Sequence, residues 1–496
     1  MRTALCLVPA LTASFLVMLA ACGDGGGSSA AGSGGEGGSG AGGSPSGTGG
    51  SGPGSGGAGG AGGQGAACTP TTAWAQGFTA LREIAVSPSG DDQAGDGSAG
   101  KPFASIAGAL KAALPGDRIT LAAGTYTCSN TSVDGAQGAG QGTIENPIWV
   151  RGEPGAVVDC GDPVNGSATA LMLVGVKYVV IDGIEFTNAG AHILHVFGKS
   201  RGVLFTRVKA HRAGLACLKA SQSDEINVED SELADAGLSG DQGKSEGSGQ
   251  IADYVGVHDS HLVRSKVHGA VGNGLGSAPN VAIQYKGGSH DIVIAQNDIW
   301  AAGTAVHLGG GTGAPYFDPP DASYEGKNIV AYANVVTGPM GVGFSAIGCH
   351  QCAIYNNTVY APMDRQAIRA LPGATPAGDA SHTVDFTVKN NLFYFAGGSP
   401  QDLFNATPDD QAGIVQEANL FFAPGKPVST IYTDIPVVSA PGAVIDKDPL
   451  LAGPPEDAHL SPGSPAIGAG VPIETFTGDR TGACRKTWDI GAYAAP

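Results

Sequence analysis

Eight short segments in the middle of the chain share one pattern. An apolar residue is followed by two variable ones, a polar turn residue that is often Asn, one more residue, and an apolar residue. The segments are residues 181–186, 205–210, 228–233, 262–267, 294–299, 331–336, 354–359 and 388–393. Their fourth position falls at 184, 208, 231, 265, 297, 334, 357 and 391, giving spacings of 24, 23, 34, 32, 37, 23 and 34. A 23-residue unit with loops inserted in the longer copies accounts for the series. Around these segments, Val- and Ile-rich stretches alternate apolar and polar positions, with Gly and Asn between them and no helical period. Such a pattern predicts short strands in a parallel β-solenoid, where no turn buries its inner face alone and stacked turns build the core. Asn tolerates left-handed backbone at a turn, and stacked Asn amides can hydrogen-bond along the axis. Asn297, Asn334, Asn357 and Asn391 are therefore expected to form a ladder.

A solenoid end exposes a sheet edge and needs a cap. Between Pro102 and Pro115, the residues Phe103, Ile106, Ala107, Leu110 and Ala113 share one face at helical spacing. This segment is expected to be the N-terminal capping helix of an otherwise all-β fold.

Composition divides the chain. Of 82 Gly in 496 residues, 24 fall within the 44 residues 23–66. That stretch buries nothing and reads as a flexible tether, with an r.m.s. span on the order of 35–40 Å. Before it, Met1 and Arg2 lead an apolar run that ends in Leu19, Ala20, Ala21 and Cys22. This reads as a signal peptide with a bacterial lipobox, in which cleavage precedes Cys22 and its thiol carries lipid. An ordinary signal with an incidental Cys is the alternative. The expected organisation is a signal peptide over 1–21, a tether over 22–66, an N-terminal cap and first coil over 67–130, a β-helix over 131–400, and C-terminal coils and cap over 401–496. The expected location is the cell envelope, lipid-anchored at the outer membrane or cell surface. A formal net charge of −18 argues against a nucleic-acid partner, which would call for a basic stripe.

Seven further cysteines, at 68, 128, 160, 217, 349, 352 and 484, would meet oxidising conditions in an exported chain. Cys128 with Cys160 is expected as one bridge. Cys349 and Cys352 lack the second ligand pair of a zinc site and read as a local disulfide or as two buried thiols. An odd count leaves at least one thiol unpaired or intermolecular.

Residues 86–90, 101–106, 115–121 and 124–126 resemble the opening of right-handed parallel β-helix proteins of the pectate-lyase-like superfamily. Residues 448–450, 464–470 and 489–493 are similar to a tail found after such helices in bacterial surface proteins. The resemblance implies a right-handed single-stranded parallel β-helix and export. It leaves activity open, because the superfamily includes polysaccharide lyases, other carbohydrate enzymes and non-enzymatic surface proteins. For a lyase it implies a Lys or Arg base, with Ca²⁺ or another cation neutralising a uronate carboxylate. Such a base must shed its proton, through burial or neighbouring positive charge.

Aligning coils on the repeat nominates residues for that chemistry. Gln284 and Lys286 face opposite to Ile283 and Tyr285, and later coils offer His307 and Arg369. Lys286, His307 and Arg369 are the candidate catalytic residues, and Gln284, His195 and Lys219 the candidate substrate contacts. Nearby Gly287, Gly288 and Gly309 to Gly311 would let a ligand approach the backbone. The alternative is a solvated polar face. Asp224, Glu225 and Asp230, in an acidic run over 224–246, are the candidate Ca²⁺ ligands, against the alternative of a solvated acidic loop. The expected partner is a polysaccharide, an acidic glycan if the lyase reading holds, met by a monomer held to a membrane by its lipid. A non-catalytic surface adhesion or carbohydrate-binding protein is the competing function.

Overall fold

The computed structural model describes residues 68–128, 131–239, 249–270, 281–301 and 303–495. The expected signal peptide, the Cys22 lipidation site and the Gly-rich tether lie outside them. The chain winds into a right-handed parallel β-helix with three faces. One coil contributes Val281–Lys286 to the first face, Ser289–Ala295 to the second and Asp298–Trp300 to the third. The first two faces form one 21-stranded sheet and the third a 12-stranded sheet. They join because Leu218–Glu229 and Gln250–Val263 run through the corner unbroken.

Register explains the core. On the first face Leu194, Leu218, Ala252, Ile283, Val306, Phe344, Ile368 and Phe404 pair coil to coil. All belong to one buried cluster running the length of the helix. Each strand sets its inward side chain on the like of the coil before, so burial is gained by stacking.

The expected ladder is present and longer than its asparagines. The amide Nδ2 of Asn297 donates to Asn334 Oδ1 (2.9 Å), Asn334 to Asn357 (2.9 Å), Asn357 to Asn391 (2.9 Å) and Asn391 to Asn419 (3.1 Å). Before Asn297, serines take the position. Val208 N–H donates to Ser231 Oγ, Ser231 N–H to Ser265 Oγ, and Ser265 N–H to Asn297 Oδ1. The left-handed residue is not the ladder residue but the one before it, at Arg207, Asp230, Arg264, Gln296, Ala333, Asn356, Asn390 and Ala418. The Asn side chains are thus selected for hydrogen bonding along the axis, and the backbone tolerance of Asn is not what places them.

The cap helix is Ile106–Ala112, shorter than the 102–114 apolar stripe. Ser105 stops it from starting earlier, because its Oγ accepts from Gly108 N–H at 2.9 Å and its backbone is extended. Phe103 bridges to Val86 as a strand residue. Cys128–Cys160 and Cys349–Cys352 are disulfides, and among the described residues Cys217 is the free thiol, buried. A third bridge, Cys68–Cys484, closes a separation of 416 residues. It ties together two straps laid across the second face. Pro70 O accepts from Arg264 (2.7 Å), Cys68 O and Asp479 O both accept from Gln296 Nε2, and the Phe476 ring packs on Tyr332. Thr72 gives both its N–H and its hydroxyl to Glu229 Oε1, at 2.6 and 2.7 Å.

Two predictions follow from these contacts. Asn357→Ala removes the acceptor for Asn334 N–H and the donor to Ala331 O. It should cost roughly 2–4 kcal/mol in denaturant unfolding, whereas Asn357→Ser, which restores the acceptor used in earlier coils, should cost less. The second concerns pH. Burial alone would raise the Glu229 carboxyl, but bonds from His261 and Thr72 hold it at about 2. Its folded value is below the unfolded 4.5, so its stabilisation is full above that pH and is lost as pH falls from 4.5 to about 2. Glu229→Gln should remove a loss on the order of 2–3 kcal/mol from the acid limb, read by thermal unfolding across that range.

Candidate functional site

The outward positions of the first face also stack in register. Met172, His195, Lys219, Asp253, Gln284, His307, Ser345, Arg369 and Asn405 follow one another coil by coil. Five of the six residues expected to act on or bind substrate are in this line. The sixth, Lys286, lies two residues beyond Gln284 on the same strand and therefore on the same side. The column is not the solvated face that the sequence left open. Lys219, Asp253, Gln284, Lys286, His307 and Ser345 are buried, while His195 and Arg369 near its two ends are half-buried.

Burial forces the column to neutralise itself. The Lys219 ammonium bonds Asp253 Oδ2. Desolvation would push the Asp253 carboxyl up, but Lys219 and Lys286 together hold it below the usual carboxylate range. His307 is driven far below the ordinary imidazole range, first by burial and then by Arg369 and Lys286. His195 is lowered to about 4 by burial and by Lys219. Burial, with a contribution from Arg365, brings Arg369 down to about 10. Arg369 gives Nε–H to Ser345 Oγ (2.6 Å) and an Nη2 proton to His307 Nε2 (3.0 Å). A guanidinium has no lone pair to offer, so Nε2 is the acceptor and the imidazole proton sits on Nδ1. That Nδ1, and Asp253 Oδ1, are buried without a hydrogen-bond partner among the described residues. A donor and an acceptor left open in a buried polar row are what a hydroxylated ligand can satisfy.

Two expectations are corrected. The glycines admit chain, not ligand. A Cβ on Gly310 would stand 2.9 Å from Gln284 Nε2 and 3.0 Å from Lys286 Cβ, so the loop after Gly309 packs on these side chains. Gly287 (φ +67°) and Gly288 (φ +86°) turn the corner in left-handed backbone, with Thr312 and Asp318 against them. Glu325 clamps this loop by accepting from Gly287 N–H, Thr312 N–H and the Thr312 hydroxyl. The acidic residues do not converge either. Asp224 pairs with His258 (2.8 Å), Glu225 with Arg201 (2.7 Å) and Asp230 with Arg264 (2.8 Å), each a cation of a neighbouring coil. Their carboxylates are spent on coil-to-coil ion pairs. Among the described residues no three His, Cys, Asp or Glu side chains form a metal-holding group. Asp241 and Glu246 of the acidic run lie outside the described residues; among the described ones the column offers a single carboxylate, Asp253, flanked by two ammonium groups, which does not fit Ca²⁺.

Asp253, Ser345 and Asn405 were not anticipated. Their signal lay in the register: Asp253 is one coil from both Lys219 and Gln284.

A right-handed parallel β-helix carrying a buried, cation-rich polar column on its first face is thus the class of molecule defined. Among solved structures, the chain is similar to pectate lyase Pel9A, with 18% identity, a TM-score of 0.55, and 85% of this chain and 98% of that one covered. An alginate lyase from Paenibacillus sp. str. FPU-7 matches at 18% identity and TM-score 0.39, covering 68% and 99%. A structure of XylC with xylose matches at 11% and 0.47, covering 83% and 98%. No family model and no curated protein matches the sequence.

The ion pair at the centre of the column makes a prediction. Asp253→Asn leaves Lys219 buried beside a weaker partner and should destabilise the chain by roughly 3 kcal/mol or more. The double change Asp253→Leu with Lys219→Met should recover much of that loss in the same denaturant titration. If the double variant is no more stable than the single one, the pair is not a self-contained buried unit.

Proposed function

We propose that the chain binds an acidic polysaccharide along the polar column and cleaves it by β-elimination. The observation that carries this is the contact of Arg369 with His307, in a row that also holds Lys219 and Lys286. Among the described residues three cations stand beside Asp253, with Glu325 beyond Lys286, and an imidazole is kept neutral between them. That surplus suits a uronate. Arg369 turns from His307 to the incoming carboxylate, for which a guanidinium fork is the matched partner. His307 Nε2 is freed, and the added negative charge lifts its basicity from the depressed value.

His307 then takes the proton α to the carboxylate. The electron pair of that C–H bond becomes the new double bond, and the bond to the glycosidic oxygen breaks. The Lys286 ammonium passes a proton to the departing oxygen. One proton is gained by His307 and one lost by Lys286, and exchange with water resets both. Gln284, His195 and Lys219 contact the flanking sugars. The base in this scheme is His307 rather than a Lys or Arg, because it is the group already unprotonated near neutral pH. Pel9A, whose fold is shared, is a pectate lyase, which supports the substrate class. The lipid on Cys22 and the tether over 22–66 would display the enzyme at the cell envelope.

One observation favours a non-catalytic glycan-binding role: the centre of the column is covered, with Asp253 only 3% exposed. The two readings separate in one experiment. The purified chain is incubated with pectate, alginate and glycosaminoglycans, and ultraviolet absorbance of the unsaturated product is followed. Cleavage of at least one polymer is expected. His307→Ala and Arg369→Ala should each lower kcat/KM by about 100-fold or more, and a chelator should leave the rate unchanged. Binding without unsaturated product on any polymer would sink the lyase and leave the binding role.

A further inference from the structure

The corner between the first and second faces takes few residues in the coils around the column. Leu218–Glu229 and Gln250–Val263 pass it as unbroken strands, one coil turns it at Gly287 and Gly288, and another at Gly348. The coil between those two instead sends out residues 310–325, from the strand Thr304–Gly309 to the strand Gly326–Tyr332. An insertion this long, where its neighbours need one or two residues, calls for a functional account.

The insertion folds back over earlier coils and is fastened at two points. Its first residues pack on Gln284 and Lys286, and Thr312 is held by Glu325 through both its N–H and its hydroxyl, each at 2.7 Å. The second fastening is at Asp318. Its N–H donates to Gly287 O (3.0 Å), and its carbonyl accepts from Nε2 of His258 (2.9 Å), a residue two coils back. The seat is cut to fit. A Cβ on Gly256 would stand 2.9 Å from Asp318 Cβ, and one on Gly288 would stand 2.4 Å from the Asp318 carbonyl oxygen.

His258 bonds at both ring nitrogens. Nδ1 meets Asp224 Oδ1 at 2.8 Å, and Nε2 meets the Asp318 carbonyl. A carboxylate and a carbonyl only accept, so each nitrogen must carry a proton and the ring is an imidazolium. On the coil before stands Asp224, with Arg201 beyond it, and Asp224 forms no metal-holding group among the described residues. On the coil after, His290 stacks on the ring at 4.1 Å and faces its own Asp291. Asp259 is next on the same strand, and the insertion adds the Asp318 carboxylate. Burial alone would lower the imidazole, but the bonds to Asp224 and the Asp318 carbonyl, with the two carboxylate charges, hold it above its ordinary value. A neutral ring keeps one proton. That proton stays toward Asp224, because a charged acceptor makes a stronger bond than a carbonyl, and Nε2 then turns a lone pair toward the Asp318 oxygen.

We propose that His258 is a proton-operated latch for the 310–325 insertion, fastening this cover over the Lys286 end of the column as an imidazolium and loosening it as a neutral ring. The folded value lies above the unfolded 6.5, so the fastening is complete below that pH and is lost as pH rises through the folded value. The latch stands on this geometry. Only its bearing on catalysis, through access to Gln284 and Lys286, rests on the lyase reading.

The test is hydrogen exchange of the full chain at about pH 6 and about pH 9, with rates corrected for intrinsic exchange. Peptides covering 310–325 should lose protection by about fivefold or more between the two, while peptides from Ser289–Ala295 keep theirs. In His258→Gln, whose amide does not titrate, the insertion should be equally protected at both pH values. His290→Gln should keep the dependence of the unaltered chain. Imidazole nitrogen shifts of the unaltered chain need no variant, and both His258 nitrogens should be protonated at about pH 6. Protection of the insertion that does not change with pH, a dependence that survives His258→Gln, or a neutral His258 at about pH 6 would each overturn the latch. No polysaccharide enters these measurements, so the latch stands or fails independently of cleavage.

Discussion

Parallel stacking in register is the constraint on which this molecule depends. Each residue is paired with its counterpart one coil away, at a distance of about 4.8 Å, so every position along a coil becomes a column. On the inner side this is simple, because apolar side chains gain from sitting on one another. On the outer side it is demanding, because a repeated charge would face its own sign. The third face shows the ordinary solution. Glu185, Lys209, Glu232, Lys266 and Asp298 follow one another in register and alternate in sign. The pairs Arg82–Asp117, Arg118–Glu83 and Lys389–Glu417 solve the same problem on the second face. The column on the first face departs from this rule. Among the described residues Lys219 has its Asp253, but Lys286 shares that carboxylate and the more distant Glu325, and Arg369 meets a hydroxyl and an imidazole. Where a fold has an easy way to balance charge and one column does not use it, function is the better account of the exception.

The same constraint explains what could be read from the sequence. Once the repeat is aligned, adjacency in space follows from counting, so the Asn ladder and the common line of His195, Lys219, Gln284, His307 and Arg369 were legible. Asp253 was equally legible in principle, as the anion that a buried Lys219 requires one coil away. What counting does not give is the third dimension of the loops. Gly310 reads as an approach point for ligand, and only the path of the chain shows that it lets the loop lie on Gln284 and Lys286. The acidic run around Asp224 reads as a metal site for a related reason. Its partners His258, Arg201 and Arg264 are distant in sequence by one coil, and the eye groups neighbours along the chain. The Cys68–Cys484 bridge was beyond reach, since the terminal straps carry no repeat that sets their register.

Those straps have a physical role that the repeat alone cannot fill. A solenoid is stabilised by nearest neighbours, so its ends are its weakest part. Here the N-terminal segment reaches Glu229 and Arg264, several coils in, and the C-terminal segment reaches Gln296 and Asp298. The disulfide joins the two. Contacts of long sequence separation are thereby added to a structure whose other contacts are between adjacent coils. The described parts of both straps lie on the second face, on the other side of a corner from the polar column.

For the proposed reaction, burial of the column is then less an objection than a source. An exposed His307 would be partly protonated near neutral pH and an exposed Arg369 would be satisfied by water. Removed from water, the imidazole stays neutral and the guanidinium is left to find a lone pair, which it takes from His307 Nε2. That bond is weaker than one to a carboxylate, because only a charged acceptor gives a charge-assisted pair at both ends. An anionic sugar therefore offers Arg369 a better partner than the resting protein does. In the proposed reaction its arrival would release the nitrogen that acts as the base. The burial that keeps His307 neutral would thus also couple its activation to the presence of substrate.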